Sequence, residues 1–267
     1  MAMVAKGRGS VVQGVWSHRF LTFTLIRRQY QLRYRQSMVG LVWAILPSLV
    51  TVLAATLVFH KVARIDTGDI PYPIFTFAAL VPWTFFSSSL TSGVPSVTSF
   101  QTMVTRLPFP TATIPFSLIG TAFIDLAISA AVYVVFAVVT GFGVPLTALW
   151  FPLLLAIEIP LTCGVVLLGC ALNVFARDIK LGVPLAIQLW LFLTPVMYPL
   201  SAVPHNLRLL YTLNPMTGIV VNARAVLLLG QQPSFLLLVP AIVGAIIFFV
   251  VGSWYFAATE PRFADVL

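Results

Sequence analysis

The chain has 267 residues, of which 60% are hydrophobic and only 8% are charged, with a formal net charge of +8 and a mean hydropathy of +1.02. Soluble proteins carry about a quarter of charged residues, so this composition excludes a soluble globule and predicts one integral membrane domain over residues 1–267. The basic residues are not gathered into a soluble module with interleaved aromatics, which excludes a nucleic-acid-binding protein.

The N-terminal segment, residues 1–36, combines an aromatic stripe with a cluster of arginines. The stripe recurs at helical spacing and consists of Trp16, Phe20, Phe23, Ile26, Tyr30 and Tyr34. The arginines nearest to the first long apolar run are Arg27, Arg28, Arg33 and Arg35. This pattern predicts an amphipathic helix in the headgroup layer, whose arginines anchor the first span beside anionic lipid. A disordered basic tail is the alternative.

Six apolar runs are candidates for transmembrane helices, because a helix needs about 20 apolar residues to cross the ~30 Å hydrocarbon layer. They lie at 38–60, 73–97, 114–140, 148–175, 182–200 and 235–258. Sustained apolar runs do not show the alternation of barrel strands, so they predict an all-α, six-span bundle over residues 37–258. Hydroxyls between Ser87 and Ser92 interrupt the second run, which is therefore expected to face the bundle, with its hydroxyls bonded to their own helix or to a neighbouring one.

The fifth run is unusual because only 14 residues, Leu185 to Tyr198, precede Pro199, with Pro184 and Pro195 at or near its ends. A helix of that length spans about 21 Å, which is too short to cross.

The segment 203–229 that follows is too polar for one span and is broken at Asn214 and Pro215. It predicts two short helices that re-enter the outer leaflet beside a pathway; a cap packed on the bundle is the alternative. Arg208 and Arg224 are expected at the outer surface or in a wet cavity. The residues expected to bury against the bundle are Leu209, Leu210, Val220 and Val221.

The distribution of Lys and Arg sets the orientation. With six spans, one side carries Lys6, Arg8, Arg19, Arg27, Arg28, Arg33, Arg35, Arg106, Arg177, Lys180 and Arg262. The other side carries Lys61, Arg64, Arg208 and Arg224. The positive-inside rule therefore places both termini, including the tail 259–267, in the cytoplasm.

The chain shows no motif for catalysis by its own side chains. It has no G-x-x-x-x-G-K-[ST] phosphate loop, no cluster with metal-ligand spacing and no nucleophile elbow. We expect no enzyme activity, no metal and no cofactor bound by this chain.

Two acids, Asp125 and Glu158, fall within apolar runs, where carboxylates are costly and often functional. One interpretation is a proton relay. The other is a structural role in which each acid, without a basic partner in the membrane, bonds hydroxyls such as Ser129 or Thr162.

Several motifs resemble, in order, those of the ABC-2 family of membrane permeases, in the branch that exports polysaccharides such as O-antigen, teichoic acid, capsule and galactan. They are RRQYQLRYRQSMVGLVWAILPSL from Arg27, LPFPTATIP at 107–115, NVFARDIK at 173–180, TPVMYPLSAVP at 194–204, LNPMTGIVVNARAVLLLG at 213–230 and FADVL at 263–267. The resemblance covers nearly the whole chain. Thr111 stands where the family often carries a basic residue.

The resemblance implies a homodimer of six-span subunits in the bacterial plasma (inner) membrane, paired with two copies of a separate ABC ATPase that holds ATP and Mg. It implies an ATPase-coupling loop with Arg106, Phe109 and Pro110. It also implies an outer gate, for which the candidates are Pro195, Tyr198, Pro204, Asn214, Pro215 and Arg224. The substrate would be a lipid-linked glycan. We infer that Arg27, Arg28, Arg33 and Arg35 could attract its pyrophosphate electrostatically; the alternative is that these arginines only anchor the topology.

Two other functions are compatible with the sequence. One is an ABC-2 exporter of a drug or small lipid. The other is a proton-coupled secondary transporter that uses Asp125 and Glu158. A neighbouring gene for an ATPase would favour an ABC exporter, and neighbouring glycan-synthesis genes would favour a polysaccharide substrate.

Overall fold

The computed structural model describes residues 11–34, 42–62, 67, 68 and 70–267. Within these ranges the chain consists of helices joined by turns and loops, and it contains no β-strand. The predicted all-α class is confirmed. Arg35 and the start of the first predicted span lie outside the described residues.

The α-helices, in chain order, are α1 Val11–Ser17, α2 Arg19–Tyr34, α3 Val42–Ala55, α4 Tyr72–Gly93, α5 Ser96–Ser99, α6 Gln101–Arg106, α7 Thr113–Val139, α8 Phe151–Phe175, α9 Ile179–Phe192, α10 His205–Leu213, α11 Pro215–Leu227, α12 Phe235–Thr259 and α13 Phe263–Val266. A π-helix, Thr56–Val62, continues α3. Short 3-10 helices lie at Leu146–Trp150, Leu200–Ala202 and Glu260–Arg262.

Among the described residues, four helical segments are long and apolar enough to cross a membrane. They are Tyr72–Gly93, Thr113–Val139, Leu146–Phe175 and Phe235–Val266. These segments correspond to the second, third, fourth and sixth predicted spans. The apolar helices Ser48–Phe59, Ile179–Phe192 and Pro215–Leu227 are shorter, so the count of six spans stays a prediction.

The helix α4 forms the centre of the bundle and is buried along most of its length. Between Ser87 and Ser92, three hydroxyls bond back to the helix backbone, as predicted, whereas the buried Ser89 hydroxyl has no hydrogen-bond partner among the described residues. Ser87 donates to the Thr84 carbonyl at 3.3 Å, and Ser92 donates to the Ser88 carbonyl at 2.7 Å. Local bonding of this kind makes a serine-rich helix more compatible with an apolar bundle, because the helix itself satisfies the hydroxyl proton.

The fifth predicted span differs from the expected boundaries. Helix α9 begins at Ile179, includes Pro184 and ends at Phe192, so it is 14 residues long. Turns follow before Pro199. Proline is tolerated inside membrane helices because neighbouring groups satisfy the freed carbonyl, which is why Pro184 does not mark the start of the helix.

The helices α8 and α12 pack backbone against backbone. A Cβ atom added at Gly164 would overlap the backbone of Phe248 and Phe249, and one added at Gly252 would overlap the carbonyl of Gly164. Small residues at such crossings give close van der Waals contact, which is a main source of helix association in lipid.

The two ends of the bundle have separate contact networks. At one end, an apolar cluster joins α1, the loop 100–112, the end of α8 and the C-terminal segment, through residues that include Val11, Phe109, Val174 and Phe263. We name this end the terminal face. At the other end, the Thr147 hydroxyl donates to the Val226 carbonyl at 2.8 Å. We name the end that carries residues 193–230 the distal face.

Candidate functional site

The loop 100–112 on the terminal face holds the three residues predicted to couple to an ATPase. Arg106 ends α6 and is exposed, as are the two residues after it. Phe109 is only 8% exposed and packs in the apolar cluster. Pro110 is partly buried beside α1, 3.5 Å from the Cβ position of Gly14. Arg106 is therefore accessible to a partner, whereas Phe109 anchors the loop and is not itself a contact surface.

The side chain of Asn173 joins the turn between α8 and α9 to helix α5, near the loop 100–112. It is fully buried near the end of α8. Its Nδ2 donates to the Thr98 hydroxyl at 3.0 Å, and its Oδ1 accepts from the Lys180 backbone N–H at 3.0 Å. The intervening residues 176–178 are exposed. An isolated Asn in an apolar run gives no sign of its partners, so sequence reasoning did not identify Asn173.

Three of the four predicted surface arginines, Arg27, Arg28 and Arg33, lie on α2. Arg27 and Arg28 are exposed. Arg33 reaches the third span, because its Nη1 lies 2.5 Å from Asp125 Oδ2. The Asp125 side chain is 17% exposed and that of Arg33 is 47% exposed. The expectation that Asp125 has no basic partner is therefore wrong. Helix α2 also packs on α7, since Ile26 occupies the space that a Cβ at Gly120 would need.

A cavity of about 280 Å³ lies between α2, α4 and α7. Its polar lining comes from Gln29, Arg33, Ser88, Ser92 and Thr121. A guanidinium beside an amide is suited to phosphate oxygens, which accept several charge-assisted hydrogen bonds at once. The hydroxyls of Ser92 and Thr121 instead donate to carbonyls of their own helices. We name this space the arginine cavity.

The outer side of α1 and α2 carries the N-terminal part of the predicted aromatic stripe. Trp16, Phe20 and Phe23 are 67–76% exposed. The Arg19 guanidinium lies 5.2 Å from the centre of the Phe20 ring. The helical conformation is thus confirmed as α1 and α2, with a turn at His18 between them, whereas its position in the headgroup layer stays a prediction.

The ion pair between Arg33 and Asp125 yields a testable expectation. Exposed pairs contribute about 0.2–1 kcal/mol, and this one is partly buried, so Asp125→Asn or Arg33→Gln should lower the melting temperature in detergent by about 2–4 °C. The swapped variant, Arg33→Asp with Asp125→Arg, should recover most of the loss. Arg28→Gln on the exposed side of α2 is the control and should have no effect. If the melting temperature of the swapped variant falls by as much as those of the two single variants together, the ion pair does not hold α2 to α7.

Glu158 has different surroundings. It is completely buried in α8, and within the described part of the chain neither carboxylate oxygen has a hydrogen-bond partner. The hydroxyls of Ser129 and Thr162 also lack one there, so the predicted bonding of the acids to these hydroxyls is wrong. Of the two acids, Glu158 is the one whose surroundings fit a proton-carrying group, whereas Asp125 has a structural ion pair.

Arg224 organises the distal face and is only 4% exposed. Its Nε donates to the Phe75 carbonyl at 3.1 Å, and its two Nη atoms donate to the carbonyls of Tyr198 and Val196. Its guanidinium also lies 3.8 Å from the centre of the Phe75 ring. The expectation that Arg224 faces the surface or a wet cavity is wrong, because backbone carbonyls take the place of water around its charge.

Asn214 and Tyr198 hold the rest of this segment together. The Asn214 side chain accepts from Trp190 Nε1 at 2.9 Å and donates to the Thr194 hydroxyl at 2.9 Å. Tyr198 donates to the Tyr211 hydroxyl at 3.1 Å. The three gate prolines mark turns: Pro195 is buried in the turn after α9, Pro204 immediately precedes α10, and Pro215 begins α11.

The two predicted short helices are confirmed as α10 and α11, with the break at Asn214. Their depth in the membrane stays a prediction. Val220 is fully buried and Val221 is partly buried. Leu209 and Leu210 are 71% and 61% exposed, so their predicted burial within the subunit is wrong. The apolar side of α10 faces outward from this chain.

Within the described residues, no group of three His, Cys, Asp or Glu side chains could hold a metal ion. The cysteines Cys163 and Cys170 are buried and free.

The apolar helices and the two differently organised ends define a multi-pass membrane protein. The family model for the ABC-2 type transporter matches residues 21–228. The chain belongs to the ABC-2 type transporter family.

Similar proteins match over most of their length. The chain is 27% identical to the O-antigen export system permease protein RfbA of Myxococcus xanthus, over 96% of this chain and 98% of that protein. It is 27% identical to the protein of the same name in Klebsiella pneumoniae, over 92% and 95%. It is 24% identical to the polysialic acid transport protein KpsM of Escherichia coli, over 77% and 80%.

Proposed function

We propose that this chain is the membrane permease of an ATP-driven exporter that moves a lipid-linked polysaccharide from the cytoplasmic side across the bacterial plasma (inner) membrane. The observation that carries the proposal is the near-complete match to relatives named as O-antigen export permeases. The match to a polysialic acid transport protein supports a polysaccharide substrate in a second group of relatives.

The terminal face is the proposed cytoplasmic side. It carries Arg106, Arg177, Lys180 and Arg262, together with the arginines of α2, and positive residues are retained in the cytoplasm. Two copies of this chain would pair with two copies of an ABC ATPase. The exposed end of α6 and the exposed turn 176–178 are the surfaces that the ATPase would press.

The arginine cavity supports a binding role at the cytoplasmic surface. The pyrophosphate of a lipid-linked glycan would bind the Arg33 guanidinium and the neighbouring Gln29 amide, while its lipid chains lie against the exposed aromatics of α1 and α2. Binding there competes with Asp125 for the Arg33 guanidinium, so the substrate would loosen α2 from α7 as it enters.

The distal face would form the outer gate. Its short helices α10 and α11 are joined to α4 and α9 through Arg224 and Asn214. When ATP closes the ATPase dimer, the two permease subunits would part along their interface, and these helices would move with the bundle to open the exit.

The proposal predicts ATP-dependent transport in proteoliposomes that contain this chain and its ABC ATPase. Lipid-linked glycan should appear in the opposite leaflet only with ATP, and a protonophore should not stop it. The chain alone should hydrolyse no ATP, since it has no phosphate loop. ATP turnover by a preparation free of the ATPase would contradict the proposal.

The same assay separates the other candidates. Transport driven by a pH gradient without ATP, and lost in Glu158→Gln, would indicate a proton-coupled transporter. ATP-driven movement of a fluorescent drug or short-chain lipid, with no movement of the glycolipid, would indicate a small-molecule exporter.

A further inference from the structure

The coupling loop is bonded to the C-terminal segment through Thr111. The Thr111 backbone N–H and its hydroxyl both donate to one carboxylate oxygen, Oε1 of Glu260, and each distance is 2.7 Å. Thr111 is 5% exposed. Hydrogen bonds to a carboxylate are about twice as strong as neutral ones, so this contact joins two segments that lie 149 residues apart.

Apolar packing joins the same two segments. Phe263 is fully buried in the C-terminal segment, and its ring meets that of Phe256 in α12 edge-on at 5.2 Å. It also contacts the ring of Phe175 at the end of α8, at 6.2 Å. Phe109 of the loop belongs to the same apolar cluster as Phe263. The loop is thus attached to the end of α12 by a polar and by an apolar contact.

The opposite side of the loop is exposed, at residues 105–108. A displacement applied there is passed to the buried side, because Phe109 and Thr111 are held by the C-terminal segment. Helix α12 then carries the displacement along its backbone contact with α8 at Gly164 and Gly252. Packed interiors transmit such shifts because they have low compressibility.

We propose that the C-terminal segment, residues 260–267, is a strut that transmits movement of the coupling loop into the last membrane span. Glu260 is its positioning residue. The inference rests on the proposed function, since it requires an ATPase that presses the loop. It also gives Thr111 a role, because its hydroxyl and its backbone N–H both bind Glu260.

The test compares Glu260→Ala and Glu260→Gln in the complex with the ATPase, and the readout is glycan exported per ATP hydrolysed. Alanine removes the acceptor of both hydrogen bonds from Thr111, so this ratio should fall at least about tenfold, which already corresponds to the loss of one charge-assisted hydrogen bond. Glutamine keeps an acceptor oxygen and should stay within about threefold of the unmodified chain. Asp265→Ala removes an exposed acid from the same segment and is the matched control. An unchanged ratio in Glu260→Ala overturns the strut.

A cross-link tests whether the two segments move as one. Thr111→Cys and Glu260→Cys are combined, with Cys163 and Cys170 replaced by alanine. The ratio should be low before treatment and should recover when a short bifunctional thiol reagent joins the two cysteines. Failure to recover after complete cross-linking overturns the strut. If the unmodified complex itself shows no ATP-driven export, the proposed function fails and not the strut alone.

Discussion

Replacing Arg224 by methionine should destabilise the distal face and abolish export. Methionine retains much of the side-chain length but none of the donors, so the buried carbonyls of Phe75 and Val196 and the partly buried carbonyl of Tyr198 lose the bonds that Arg224 donates. Each buried group left unpaired costs about 1–3 kcal/mol. The melting temperature of the detergent-solubilised chain should fall by at least about 6 °C, at about 2–4 °C per kcal/mol.

Arg208→Met is the matched control for this expectation. Arg208 lies in the same segment and also donates to two backbone carbonyls, those of Val203 and Ser201. It is exposed, so water satisfies these carbonyls when the guanidinium is removed. Its melting temperature should change by less than about 2 °C, as for most surface substitutions. Equal losses in the two variants would show that burial of Arg224 is not what makes it important.

The difference between Arg208 and Arg224 also shows where sequence reasoning reached its limit. Both residues have the same chemistry and lie in the same polar segment, and an insertion cost for arginine in hydrocarbon predicts an exposed position for both. That cost does not apply to Arg224, because Phe75 supplies a carbonyl and an aromatic face from a different helix. Residues 149 positions apart have no shared periodicity that would reveal such a contact.

The helices were easier to predict from the sequence, because apolar runs and breaks are local signals. The runs at 73–97, 114–140, 148–175 and 235–258 correspond to long helices, and the break at Asn214 separates two short ones. The proline at 184 was misinterpreted because its effect depends on neighbouring groups. An amphipathic pattern identifies the apolar side of a helix but not what packs against that side, as the exposure of Leu209 shows.

The candidate site shows the same contrast between local signals, which the sequence reveals, and distant contacts, which it does not. The arginine-rich segment before the first span, the loop at 107–115 and the turn at 173–180 were found from their motifs. Their partners were not, since Asp125, Glu260 and Thr98 are distant in the sequence from Arg33, Thr111 and Asn173. The residues that touch the surface were thus easier to predict than the contacts that hold them in place.

Replacing Gly164 by leucine should prevent α8 and α12 from packing. Even a methyl group at this position would overlap the backbone of Phe248 and Phe249, and backbone cannot move aside as a flexible side chain can. Gly164→Ala should therefore cost about 1–3 kcal/mol, in the range of overpacked cores, and Gly164→Leu should leave little folded protein.

Gly182→Ala in α9 is the control, because nothing lies within 4 Å of the added Cβ and alanine favours the helix by about 1 kcal/mol. Size-exclusion profiles and melting temperatures in detergent are measured for all three variants. A Gly164→Leu chain that elutes and melts like the unmodified one would show that the two helices are not in backbone contact, and the path from the coupling loop through α12 to α8 would then be excluded.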